Sequence, residues 1–179
     1  GNKIAFFTLA KDLGETLDND DFFDVYVRDE SNGTTTRVSV NSSDEGGNGH
    51  SGFPSISGDG SVVAFGSLAS NLVPGDDNNN FDVFTRSGTT TTMESVSTSG
   101  TRGNTGSDIC ALSLSGSYLA FRSSAINLVP HDDIPDDDII VRHRSLPNIS
   151  TFWGSISGLF PAIWPGFGTV DGSLTDVGI

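Results

Sequence analysis

Cysteine occurs once in the 179 residues, at Cys110. A single thiol cannot close an internal disulfide or build a thiolate zinc site. Positive charge is scarce as well: 9 Lys and Arg stand against 23 Asp and Glu, a net charge of −14. A field of that sign repels phosphate backbones and anionic lipid, so nucleic acid and membrane surfaces are excluded as expected partners. The same field attracts cations. No apolar run approaches a membrane span, and no charged-then-apolar leader opens the sequence. No segment sustains the 3.6-residue apolar period, which predicts almost no helix. What the chain has in quantity is glycine, 22 residues, with many Ser and Thr. That composition suits a turn-rich all-β protein.

The sequence repeats. Ser61–Asp77 and Ser117–Asp133 share 11 of 17 aligned residues at an offset of 56. The offset persists from Asp82 to Asp138, Arg86 to Arg142 and Asn48 to Asn104. A weaker first repeat starts near the N-terminus: Ile4–Phe6 aligns with Val63–Phe65, Asp24–Arg28 with Asp82–Arg86, and Thr34–Val40 with Thr90–Val96. Each repeat predicts four short strands. In the second these are Phe53–Ser57, Ser61–Ser67, Phe81–Arg86 and Thr90–Ser97, with a Gly58-Asp59-Gly60 hairpin turn and a long polar loop at about 71–80. Along the third strand, alternation sets Asp82, Phe84 and Arg86 on one face and Val83 and Thr85 on the other. Four strands per 40–55 residues is the size of a propeller blade.

The Pro-Ser-Ile-Ser, Val-Ala-Phe, Asn-Leu-Val-Pro, Asp-Val-Phe and Thr-Thr-Thr elements resemble the TolB-like (WD-type) β-propeller repeat of bacterial secreted and periplasmic proteins. The resemblance spans about residues 3 to 145. It implies an all-β propeller of four-stranded antiparallel blades and a secreted or periplasmic location, and it names no activity, because that family is functionally mixed.

Three blades are expected in residues 1–150, divided at about 48 and 105. An aromatic segment follows at 151–179. The first repeat lacks the innermost strand, whereas Phe160–Trp164 looks like Phe53–Ser57. Three blades do not close a propeller. The chain is therefore expected to associate with itself into a six-bladed homodimer, each copy donating 160–164. The other reading is a fragment of a longer propeller.

The long loops between second and third strands, and the loops joining repeats, fall on one face, where function is expected. They carry Asp18, Asp20 and Asp24 in the first repeat, Asp76, Asn78 and Asp82 in the second, and Asp132 and Asp138 in the third. Oxygen donors at alternate loop positions suit a hard divalent cation, Ca²⁺ above all. Ile134 stands where a donor should be in the third loop, so that loop is expected to bind worst. Against this stands an architectural role, in which each Asp and the Arg four residues on bond neighbouring strands. His50 and His131 are unique to their repeats, their counterparts being Gly106 and Gly75, and both fall on the long-loop face. They are the candidate catalytic base or metal ligands. Two functions follow: a binding or scaffold module, cation-stabilised, or a metal-dependent hydrolase of phosphoester type. Cys110, on a predicted inner strand, is expected to be a buried small hydrophobe.

Overall fold

The computed structural model describes residues 1–13 and 19–144, together with a strand at Phe152–Gly154. Eleven strands and no helix are found among the described residues. Sheet 1 contains β1 (Lys3–Thr8), β2 (Asp24–Asp29) and β3 (Thr34–Arg37). Sheet 2 runs β4 (Ser51–Ile56), β5 (Val62–Ser67), β6 (Asp82–Ser87) and β7 (Thr90–Met93). Sheet 3 runs β8 (Ser107–Leu112), β9 (Tyr118–Ser123), β10 (Asp138–His143) and β11 (Phe152–Gly154). All neighbours pair antiparallel in sequence order. The architecture is all-β and propeller-like. Sheet 1 has three strands among the described residues, the three that the first repeat carries, and the last strand of sheet 3 lies just past residue 150. The expected strand at Phe160–Trp164 falls outside the described residues.

Side-chain alternation explains the stacking. Every residue of β5 is buried, because a sheet covers each of its faces. Val63 and Phe65 pack with Val25, Val38, Leu72, Phe84 and Met93 in the joint between sheets 1 and 2. Ala64 packs with Val83, Cys110, Leu119, Phe121 and Ile140 in the joint between sheets 2 and 3. Phe84 and Val83 therefore fall on opposite faces, as alternation required. Cys110 is buried as expected, and burial pushes its thiol up to about 12.

The innermost strands share one irregularity. Register shifts between Gly52 and Ser55 in β4 and between Asp108 and Cys110 in β8. At these bulges Phe53 (φ 53°) and Ile109 (φ 37°), 56 residues apart, take left-handed backbone that non-glycine residues rarely adopt. Both side chains are exposed.

Arginines lock each joint. Arg86 of β6 crosses to sheet 1, where its Nη1 donates to the Asn41 carbonyl at 2.7 Å and its Nη2 pairs with Asp44. Arg142 of β10 repeats the move one sheet on, donating to the carbonyls of Val96 (2.7 Å) and Glu94 (3.0 Å). Each satisfies backbone acceptors that follow the outermost strand of the preceding sheet.

Candidate functional site

The strand-initial aspartates hold the sheets together. Asp24 accepts a hydrogen bond from the Ser39 hydroxyl and Asp82 from the Ser95 hydroxyl, both at 2.6 Å. The same serine oxygens accept the N–H groups of Val25 and Val83, both at 3.1 Å. Each Asp-Ser pair pins the chain after the last strand of its hairpin (β3 or β7) to the start of the strand before it (β2 or β6). Asp24 and Asp82 are fully buried, and this shared role is architectural.

The acidic loops around them differ in charge balance. In the first, Arg37 Nη2 lies 2.6 Å from Asp24 and 3.4 Å from Asp20. Asp18 lies outside the described residues. In the second loop Met93 occupies the place of Arg37, and the positive charge that reaches both Asp76 and Asp82 comes from Arg102 instead. Asn78 spends its amide on Asp82 (2.7 Å) and its carbonyl oxygen on the Asn80 N–H (2.8 Å). Asp76 is buried, and desolvation followed by repulsion from Asp82 lifts its carboxyl to about 6. Asp132 is lifted likewise, by burial and then by Asp138. Among the described residues, no three His, Cys, Asp or Glu side chains gather so as to hold a metal ion.

The histidines sit apart. His50 fills the first joint: its Nδ1 accepts the Phe23 N–H at 3.0 Å, and its ring meets Phe22 and Phe23 at 5.2 and 5.7 Å. His131 is exposed in the third acidic loop with φ 65°, the left-handed backbone that Gly75 (φ 74°) takes in the second repeat.

The second joint has the same backbone and different contents. The Ser107 N–H donates to the Phe81 carbonyl at 2.7 Å, as the Ser51 N–H does to Phe23. Gly106 replaces His50, and a cleft of about 300 Å³ stands open there. A Cβ at Gly106 would meet only the Phe81 carbonyl oxygen, at 3.8 Å. Phe81, Asn79, Asn80, Asp108, Arg122 and Asp137 are among the residues that line the cleft. Arg122 donates twice to Asp108, at 2.8 and 2.7 Å, and once to Asp137 at 3.3 Å. Sequence reasoning did not single out Phe81, Asp108 or Arg122. The available signal was a paired change, since the facing residues Gly52 and Gly66 of sheet 2 become Asp108 and Arg122 in sheet 3.

No family model matches the chain, and no curated protein matches it. Among solved structures it is similar to a putative TolB from Agrobacterium tumefaciens, at 15% identity and a TM-score of 0.49. That match covers 86% of this chain and 45% of the other. It is also similar to TolB from Acinetobacter baumannii, at 14% identity and a TM-score of 0.34, over 85% of this chain and 40% of that one. The chain thus spans less than half the length of either. Its own repeated antiparallel sheets, joined by recurring arginine contacts, carry the description of the fold as propeller-like.

Proposed function

We propose that the chain is a binding module of three propeller blades, and that its ligand sits on the long-loop face in the cleft of the second joint. The observation that carries this is the exchange of His50 for Gly106: the same joint is plugged in one place and open in the next. The cleft offers carboxamides, hydroxyls, an Asp-Arg pair and one aromatic face. A few convergent polar groups beside an apolar wall are the ordinary makings of a small-molecule site. The guanidinium of Arg122 is flanked by two carboxylates, which disfavours an anion. A small polyhydroxylated ligand with one apolar face, such as a monosaccharide, fits these groups. Titrating isotope-labelled protein with a panel of monosaccharides should move the amide signals of Asn80, Phe81, Gly106 and Asp108. Shifts scattered elsewhere, or none at millimolar sugar, would overturn the reading. A secreted or periplasmic setting is part of this proposal and rests on the family resemblance of the repeat.

A divalent cation is a second reading, favoured by the burial of Asp76 beside the second carboxylate of Asp82. It places Ca²⁺ at Asp76 as a stabiliser of the second acidic loop. Without calcium, Asp76 binds its proton more tightly folded than unfolded. Its ionisation therefore costs nothing below the ordinary carboxylate value, and stability falls as pH rises toward about 6. In EDTA, Asp76→Asn should stabilise the protein by about 1–2 kcal/mol at pH 7 and by almost nothing at pH 3.5. Millimolar calcium should raise the melting temperature of the wild type at pH 7 and not that of Asp76→Asn. Equal responses in both proteins would remove the cation from this loop. The hydrolase alternative gains no support, because the His50 Nδ1 is spent on a backbone N–H and His131 stands in a different repeat.

A further inference from the structure

We infer that the first joint holds a second site, at the end where the short turns lie, and that it binds a short-chain aliphatic carboxylate. A cavity of about 310 Å³ lies there between sheets 1 and 2. Val27 and Val38 line it from the first repeat, and Val63, Arg86 and Gly88 from the second. Its walls therefore belong to two neighbouring sheets within the chain. The cavity is separate from the cleft of the second joint, and neither reading depends on the other.

The second joint shows what the corresponding space holds. There the carboxylate of Glu94 meets two arginines, its Oε2 at 3.0 Å from Arg142 Nε and its Oε1 at 2.9 Å from Arg144 Nε. Arg144 completes the plug, donating to the Gly116 carbonyl at 2.9 Å and to the Thr85 hydroxyl at 3.1 Å. The first joint keeps the backbone of this arrangement. The Val38 N–H donates to the Val25 carbonyl at 2.8 Å, as the Glu94 N–H donates to that of Val83 at 2.7 Å. The side chains differ: Val38 stands for Glu94, Gly88 for Arg144 and Val27 for Thr85. A carboxylate, a guanidinium and a hydroxyl are exchanged for methyl groups and a hydrogen.

That exchange leaves a buried cation short of an acceptor. Arg86, the counterpart of Arg142, is 7% exposed. Its Nη atoms are engaged by the Asn41 carbonyl, Thr91 and Asp44. Its Nε, the atom that meets Glu94 in Arg142, donates to no group among the described residues. A guanidinium N–H in this setting favours an ionised oxygen as acceptor. Arg122 of the cleft is different, since its Nε, Nη1 and Nη2 all face carboxylates. A second cation stands at the rim of the cavity: Lys3 Nζ makes only long contacts, 3.5 Å to the Gly60 carbonyl and 3.9 Å to Asp29. A ligand carboxylate in the place of Glu94's would take the Arg86 Nε–H and attract Lys3. Val27, Val38 and Val63 offer its alkyl chain an apolar wall. The side chain of Glu94 is itself a short alkyl carboxylate, and free butyrate reproduces that group. Charges beyond about 8 Å are screened at physiological salt, so these two cations outweigh the net charge of −14 at contact.

Titrating isotope-labelled protein with sodium butyrate, against sodium chloride at equal ionic strength, tests this. Butyrate should give saturable amide shifts at Lys3, Val38, Ser61 and Gly88. Butyramide, its neutral isostere, should bind at least about tenfold more weakly. Acetate, two methylenes shorter, should also lose about tenfold. Val38→Glu supplies the carboxylate from within, so that variant should melt no lower than the wild type and lose the butyrate shifts. Lys3→Gln changes a half-exposed side chain and keeps the fold whatever Val38→Glu does; it should weaken butyrate about threefold. Butyramide binding as tightly as butyrate, or no saturable shift at these residues by tens of millimolar, would overturn the site. Shifts confined to Phe81, Gly106 and Asp108 would overturn it too, by placing butyrate in the cleft. Tighter binding of N-acetylglutamate amide than of butyrate would overturn the free acid as the source and assign the carboxylate to a glutamate side chain.

Discussion

Phe65→Ala is expected to lower the unfolding free energy by about 3–5 kcal/mol, the cost of deleting a fully buried ring. Phe65 lies at the centre of the first joint with no exposed surface, its ring 6.0 Å from that of Phe84. Val25 and Val38 of sheet 1 close over it. These side chains stand on strands fixed by ladder hydrogen bonds, so they cannot collapse into the space. The lost dispersion contacts add to the lost transfer energy. Phe53→Ala is the control. That ring is half exposed at a bulge, and its loss should cost less than about 1 kcal/mol. Urea denaturation at pH 7 measures both. Equal losses, or a loss below about 1 kcal/mol for Phe65, would mean that the first joint is not packed around this ring.

The second large effect belongs to Glu94, which is 4% exposed between sheets 2 and 3. Its Oε1 accepts from the Thr85 hydroxyl at 2.7 Å and from Arg144 Nε at 2.9 Å, and its Oε2 meets Arg142 Nε at 3.0 Å. Glu94→Ala leaves two guanidinium groups facing each other across a partly dry joint. The expected loss is about 3 kcal/mol, somewhat reduced because both arginines keep backbone carbonyls. Glu94→Gln keeps the acceptor oxygen and should lose about half as much. The first joint offers a sharper comparison. There Val38 and Gly88 occupy the positions of Glu94 and Arg144. The double change Glu94→Val with Arg144→Gly imports that apolar solution and should be less destabilising than Glu94→Ala alone. A double variant worse than the single one by the full cost of Arg144 would show that the two residues act independently.

The fold was legible because its determinants are local and repeated. Alternation in β5 and β6, the turn at Gly58–Gly60 and the 56-residue offset between repeats each follow from short stretches of chain. The structure agrees with them strand by strand. The candidate site was less legible, because its determinants are differences between repeats, read across strands. Carboxylates recur conspicuously in the acidic loops. Yet Asp24 and Asp82 accept hydrogen bonds from serines that follow β3 and β7, partners 15 and 13 residues away in sequence. The imidazole of His50 stood out as an isolated histidine, but its place is a plug against Phe22 and Phe23. The informative residue at that position was the glycine of the next repeat. Likewise the exchanges of Gly52 and Gly66 for Asp108 and Arg122, and of Val38 and Gly88 for Glu94 and Arg144, become visible as pairs only once register places them side by side.

The most direct test of the functional account is to plug the cleft with the chain's own stopper. Gly106→His introduces at the second joint the side chain that fills the first. The backbone there has room for a Cβ, so the variant should fold and melt close to the wild type. In parallel titrations with the same monosaccharides, the wild type should show saturable shifts at Phe81 and Asp108, and Gly106→His should show none. Saturable shifts of equal affinity in both proteins would contradict the claim that the open joint is the binding site.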